Sequence, residues 1–132
     1  MTETPTLSHV DDQGQARMVD ISHKASTART AVAACRVLVG AEALHLIREN
    51  EIRKGDVLTV SNVAGVLGAK QTSRLLPLCH DVVLQNVEIE FELDEASGAV
   101  DIRAITKTVG PTGVEMEALT AVTVAALTVY DM

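Results

Sequence analysis

Residues 87–94 read VEIEFELD, in which Val87, Ile89, Phe91 and Leu93 alternate with Glu88, Glu90, Glu92 and Asp94. A period of two puts every apolar side chain on one face of a β-strand and every carboxylate on the other. A helix would scatter both sets around its axis, so this segment is predicted to be a strand with one buried and one wet face. A turn follows around Glu95–Gly98, and Ala99–Val109 supplies a second strand. Its Arg103 and Lys107 are expected opposite the acidic row, completing a hairpin.

The apolar face of such a hairpin must be covered. The longest uncharged runs, Val57–Ala69 and Ala118–Tyr130, are 13 residues each. A membrane-spanning helix needs about 20, so these runs belong inside a protein assembly. Asp56 is placed to cap a helix predicted to run from Val57 to Leu75, with Pro77 stopping it. Gly110, Pro111 and Gly113 break the chain before a last helix from about Val114 to the end. Upstream, Met18–Ile21 is a short extended candidate, Arg29–Leu38 a strand, and Ala41–Asn50 a helix opened by Gly40.

Strand, helices, hairpin, helix is the order of an α+β sandwich of the ferredoxin-like, split βαβ kind. Its antiparallel sheet would carry the helices on one face. That pattern ends with one more strand, which is missing here because Met132 stands in mid-helix. At 132 residues the expectation is one domain, residues 15–132, C-terminally short, behind a flexible polar segment 1–14.

The formal net charge is -7, which argues against a nucleic-acid partner, since such proteins need a basic footprint. One Phe, one Tyr and no Trp give little to stack bases on. Cys35 and Cys79 form no CxxC pair, and His9, His23, His45 and His80 lack metal-ligand spacing, so no metal is expected. Two unpaired thiols and an acidic opening with Glu3, Asp11 and Asp12 read as a cytoplasmic protein without a secretory signal.

A few charges need a reason. Lys70 is the only charged residue between Asp56 and Arg74. It either carries its ammonium out to water or meets an anion. Arg74, four residues on, would extend it into a cationic stripe on one helix face. Lys54 precedes a helix N-terminus, where free N–H groups and an ammonium suit a phosphate, although by itself it reads first as a solvated turn lysine. Glu115 and Glu117 open the last helix around Met116, and Asp131 closes its uncharged run. Those fourteen positions correspond to about 21 Å of helix, too far for Glu117 and Asp131 of one copy to touch one small substrate. His80 follows Leu78 and Cys79 in the link to the hairpin; a lone His after an apolar run is more often a hydrogen-bonded structural residue than a catalyst, and the loop position beside a sheet edge strengthens the functional reading. Cys79 by itself reads as an inert thiol, with no base placed to activate it.

Taken together, ARMVDIS (Ala16–Ser22), KGDV (Lys54–Val57), LPLCH (Leu76–His80), TGVEMEALTA (Thr112–Ala121) and YDM (Tyr130–Met132) resemble the cyclic pyranopterin monophosphate synthase family, MoaC, over essentially the whole chain. The resemblance implies a ferredoxin-like lyase of molybdenum cofactor biosynthesis. It converts 3′,8-cyclo-7,8-dihydro-GTP into cyclic pyranopterin monophosphate and releases pyrophosphate. The family needs no cofactor and assembles as a hexamer, a trimer of dimers with active sites at a dimer interface. By the same resemblance Asp131, Lys54, His80 and Lys70 are catalytic. Leu78, Cys79, His80, Glu115, Met116, Glu117 and Arg74 contact the substrate. Which group is acid and which is base stays open.

The chain departs from the family pattern at three points. Asp81 stands where the family has a proline after LCH, Gln71 replaces an arginine in the AAKRT string, and Pro111 replaces the turn's cation. The family also continues past YDM, with a catalytic lysine three residues after the aspartate and then the last strand. An impaired, truncated homologue that binds nucleotide or family partners without turnover is therefore the alternative expectation.

Overall fold

A computed structural model describes residues 7–132. Residues 1–6 of the expected N-terminal segment lie outside the described residues. The elements follow in the order β1 (Thr27–Leu38), α1 (Ala41–Arg48), α2 (Val57–Lys70), α3 (Thr72–Leu75), β2 (Asn86–Asp94), β3 (Ala99–Gly110) and α4 (Glu115–Asp131). This is an α+β protein. Its described sheet has three antiparallel strands in the order β1-β3-β2, so β3 is paired on both sides.

The alternation in β2 puts Val87, Ile89, Phe91 and Leu93 on the same face as Thr106, Ala104, Ile102 and Val100 of β3. Ala31, Ala33, Cys35 and Val37 of β1 complete that face. Against it pack α2 and α4, with Ala118, Ala121, Val122 and Ala125 of α4 buried. Small residues let the helices come close. A Cβ on Gly65 would collide with Ile89 Cδ1 and lie 3.0 Å from the Ala121 carbonyl oxygen, and one on Gly68 would lie 2.8 Å from Val124.

The turn expected between the hairpin strands is present. Gly98 adopts φ +63, and its carbonyl accepts from the N–H groups of both Val39 and Gly40, tying the hairpin to the start of α1. The Asp56 cap is also present, with Thr59 N–H donating to Oδ1 at 3.1 Å and the Thr59 hydroxyl donating to Oδ2 at 2.7 Å.

Three local expectations are corrected. The helix expected over Val57–Leu75 is two helices, broken at Gln71. The Thr72 hydroxyl donates to the Ala69 carbonyl at 2.8 Å and closes the last turn of α2. The Lys70–Arg74 stripe on a single helix therefore does not form. Met18–Ile21 joins no strand; Asp20 instead accepts from Ser22 N–H at 2.9 Å in a turn. Arg103 does lie opposite Glu90 and bonds it at 2.9 Å, but Lys107 lies opposite Asn86, one position before the acidic run begins. Asp101, not a cation, faces Glu92. Arg36 relieves that repulsion by gripping both Asp101 oxygens at 2.7 and 2.8 Å and Asp94 at 2.9 Å.

The helix–sheet approach gives a direct stability test. Alanine in a helix interior gains about 1 kcal/mol over glycine by propensity, while overpacking costs about 1–3 kcal/mol. At Gly65 the backbone of α4 cannot retreat from the new methyl, so overpacking wins. Gly65→Ala is expected to lower unfolding stability by about 1–2 kcal/mol in urea titration; a stabilised variant would show that the helices have room to part.

Candidate active site

Two loops at one end of the sheet enclose a cleft of about 480 Å³. One wall is the link after α3, with Leu76, Leu78, Cys79, His80 and Val82. The other is the turn into α4, with Thr112, Gly113, Glu115, Met116 and Glu117. His9 adds to the lining from the N-terminal segment. The tight turn before α4 is held by Arg29, which donates to the carbonyls of Gly110 at 3.1 Å and Pro111 at 3.4 Å. At the other wall, Asp81 accepts a short hydrogen bond from the Ser73 hydroxyl, tying the segment after His80 back to α3.

Electrostatically the cleft is acidic. Glu117 is only 3% exposed. Burial pushes its carboxyl above the ordinary range, a hydrogen bond from its own backbone N–H opposes this, and the Glu115 charge adds to the rise. Glu115 folds back over Gly113, where a side chain would collide with its carboxylate. Glu115 thus fills the space that Gly113, having no side chain, leaves open. Burial raises the Cys79 thiol, and the Glu117 and Asp81 charges raise it further, which keeps it a protonated donor rather than a nucleophile.

The structure brings Leu78, Cys79, His80, Glu115, Met116 and Glu117 together in this cleft and leaves Lys54, Lys70, Arg74 and Asp131 outside its lining. Lys54 and Asp131 meet at the far end of α4. There the Lys54 ammonium donates to the Asp131 carbonyl at 2.6 Å and lies 3.4 Å from its carboxylate. That cation offsets an acid placed where the helix dipole disfavours one. Lys70 is exposed at the C-terminal end of α2, the end that favours an ammonium. Sequence reasoning missed His9, Thr112 and Arg29. His9 sits in an aperiodic polar stretch and carries no signal; Arg29, one of only two charged residues in β1 with Arg36, carried one.

A cleft of this size, lined by two imidazoles, a thiol and two carboxylates, is that of an enzyme or binding protein for a small polar molecule. The MoaC family model matches residues 18–132. The chain is 56% identical over its whole length to a protein named cyclic pyranopterin monophosphate synthase from Salinibacter ruber, covering 78% of it. A protein of the same name from Thermoanaerobacter pseudethanolicus is 54% identical over 96% of this chain and 80% of its own. The human protein named molybdenum cofactor biosynthesis protein 1 is 52% identical over 96% of this chain, which spans 20% of that longer protein. The chain belongs to the MoaC family.

Because Glu117 holds its proton to higher pH in the folded protein than its ordinary 4.5, its linkage has a definite sign. Folding is favoured below that value and loses this contribution as pH rises through the folded pKa. Glu117→Gln should therefore raise Tm relative to wild type at about pH 7 and lose the advantage near pH 4, as read by thermal melts across that range. A gap that does not change with pH contradicts the burial of the charge.

Proposed function

We propose that this chain is a cyclic pyranopterin monophosphate synthase, a lyase of molybdenum cofactor biosynthesis. It takes 3′,8-cyclo-7,8-dihydro-GTP to cyclic pyranopterin monophosphate with loss of pyrophosphate. The observation that carries the reading is the cleft, where LCH (Leu78–His80) and EME (Glu115–Glu117) face one another across one small space. Relatives at 54–56% identity bear the synthase name. The strand order β1-β3-β2 with helices packed against one face supports a ferredoxin-like, split βαβ arrangement of a single domain, residues 15–132. We place it in the cytoplasm.

In this reading Glu115 and Glu117 accept hydrogen bonds from the N–H edge of the guanine-derived ring. His80 and Asp131 move protons during ring opening and closure, a role worth about 10²–10⁴-fold in rate. Lys54, Lys70 and Arg74 neutralise phosphate charge and ease pyrophosphate departure. The phosphates pose the main geometric demand. Among the described residues, the cleft lining contains no lysine or arginine. The Lys54–Asp131 pair lies at the opposite end of α4, about 20 Å away by helix rise. A complete site therefore takes the cleft of one copy and the Lys54–Asp131 end of another. This matches a dimer-interface site in a homo-oligomer, and we propose the hexameric trimer of dimers as the assembly. Exposed Val60, Val63 and Leu67 on α2 and Leu119 and Leu127 on α4 offer apolar surface for such contacts.

Incubation of the protein with the cyclic dihydro-GTP substrate should release pyrophosphate, and Asp131→Asn and His80→Ala should each abolish release while retaining wild-type circular dichroism. Coexpressed as mixed oligomers, the two inactive variants should recover about a quarter of wild-type activity, because half of randomly paired two-fold dimers contain one intact site of two. No turnover by folded wild type, with substrate still bound, would instead identify a binding-only homologue. Absence of recovery in the mixture would place the whole site within one copy.

A further inference from the structure

The two walls of the cleft are anchored to one strand. On the inner face of β3, apolar Val100, Ile102 and Ala104 give way to Thr106 and Thr108, which are 0% and 2% exposed. The Thr106 hydroxyl donates to the Val114 carbonyl at 3.0 Å. Val114 is the residue that leads into Glu115, Met116 and Glu117. The Thr108 hydroxyl donates to the Val83 carbonyl at 2.7 Å, just after the Cys79–Val82 wall. Next to it, Gln85 N–H bonds the Lys107 carbonyl at 2.8 Å, fixing where that wall joins β2.

Two side chains, i and i+2 on one strand face, stand about 7 Å apart on a rigid ladder. Each holds the backbone of a different wall. We propose that Thr106 and Thr108 are positioning residues that set the width of the substrate cleft. The inference rests on the cleft being the substrate site. Neither threonine lines the cleft itself, so each acts through the wall it holds. A core strand has no need of two hydroxyls on its covered face; valine would fill the same volume and add apolar contact. The hydroxyls do something valine cannot, which is to bind a loop carbonyl at a fixed point. The Val114 carbonyl also accepts from Ala118 N–H at 3.1 Å, so Thr106 is not needed to satisfy it. Its bond adds orientation at the start of α4.

The test uses Thr106→Val, Thr108→Val and the corresponding serine variants in the full chain. Three readouts apply: amide hydrogen exchange, alkylation of Cys79 by iodoacetamide, and KM and kcat with the cyclic dihydro-GTP substrate. Loss of one such bond should raise KM by about threefold to tenfold with a smaller change in kcat. Thr108→Val should speed exchange at the Gln85 amide and alkylation of Cys79, leaving the Ala118 amide protected. Thr106→Val should do the reverse, speeding exchange at the Ala118 amide alone. Serine at either position restores the hydroxyl and should restore both protection and KM. Exchange that rises evenly across the core would overturn the proposal, since that marks a general loss of packing. Unchanged KM beside loosened walls would overturn it as well. Exchange and alkylation need no substrate, so a wild type that fails to bind the substrate refutes the function and leaves the wall anchoring separately measurable.

Discussion

The inner face of β3 is the constraint on which the rest of the structure depends. Because β3 is paired along both edges, most of its backbone bonds are used up in the sheet, and it holds other parts of the chain mainly through its side chains. The first half of that face is fully buried Val100, Ile102 and Ala104, which must be covered. The alanines of α4 cover it, and Gly65 and Gly68 let α2 pack tightly beside α4. The second half is threonine, and there the cover changes from helix to loop. Where the strand's chemistry turns from apolar to hydroxylated, the core ends and the cleft begins.

Charge is distributed so that the two ends of α4 differ in kind. At its start, buried Glu117, whose carboxyl burial pushes above its ordinary range, stands with Glu115 in an acidic wall. At its end, Lys54 binds the Asp131 carbonyl and carboxylate. On the sheet's outer face Arg36 and Arg103 are engaged by Asp94, Asp101 and Glu90, which removes both from service to a ligand. A protein of net charge -7 that handles a polyphosphate must gather its remaining cations at one place. The proposed pairing of copies would do this without changing the fold of either.

Much of the fold was legible in side-chain periodicity. The alternation of Val87–Asp94 specified a strand, its faces and its hairpin partner, because a period of two has one structural solution. Asp56 was legible as a cap for the same local reason. The break at Gln71 was not, since it depends on the Thr72 hydroxyl turning back to the Ala69 carbonyl in a buried setting. Nor was the mismatch of Lys107 with the acidic row. Strand register is set by how the whole hairpin closes, and a shift of two residues leaves every face unchanged. The cleft strings LCH and EME were readable as unusual sequence, whereas His9 and Arg29 reach the site region only through the path of the chain.

The sequence alone therefore determined the strand and helix faces, the turn at Gly98 and the family, since these rest on neighbours in the chain and on the residue types themselves. Tertiary structure decided the rest. It placed Cys79 and His80 across from Glu117, sent Lys54 to Asp131 instead of to the cleft, and set two threonine hydroxyls against two loops. Such pairings join residues far apart in sequence, and only the packing of helices on a sheet fixes the distance between them.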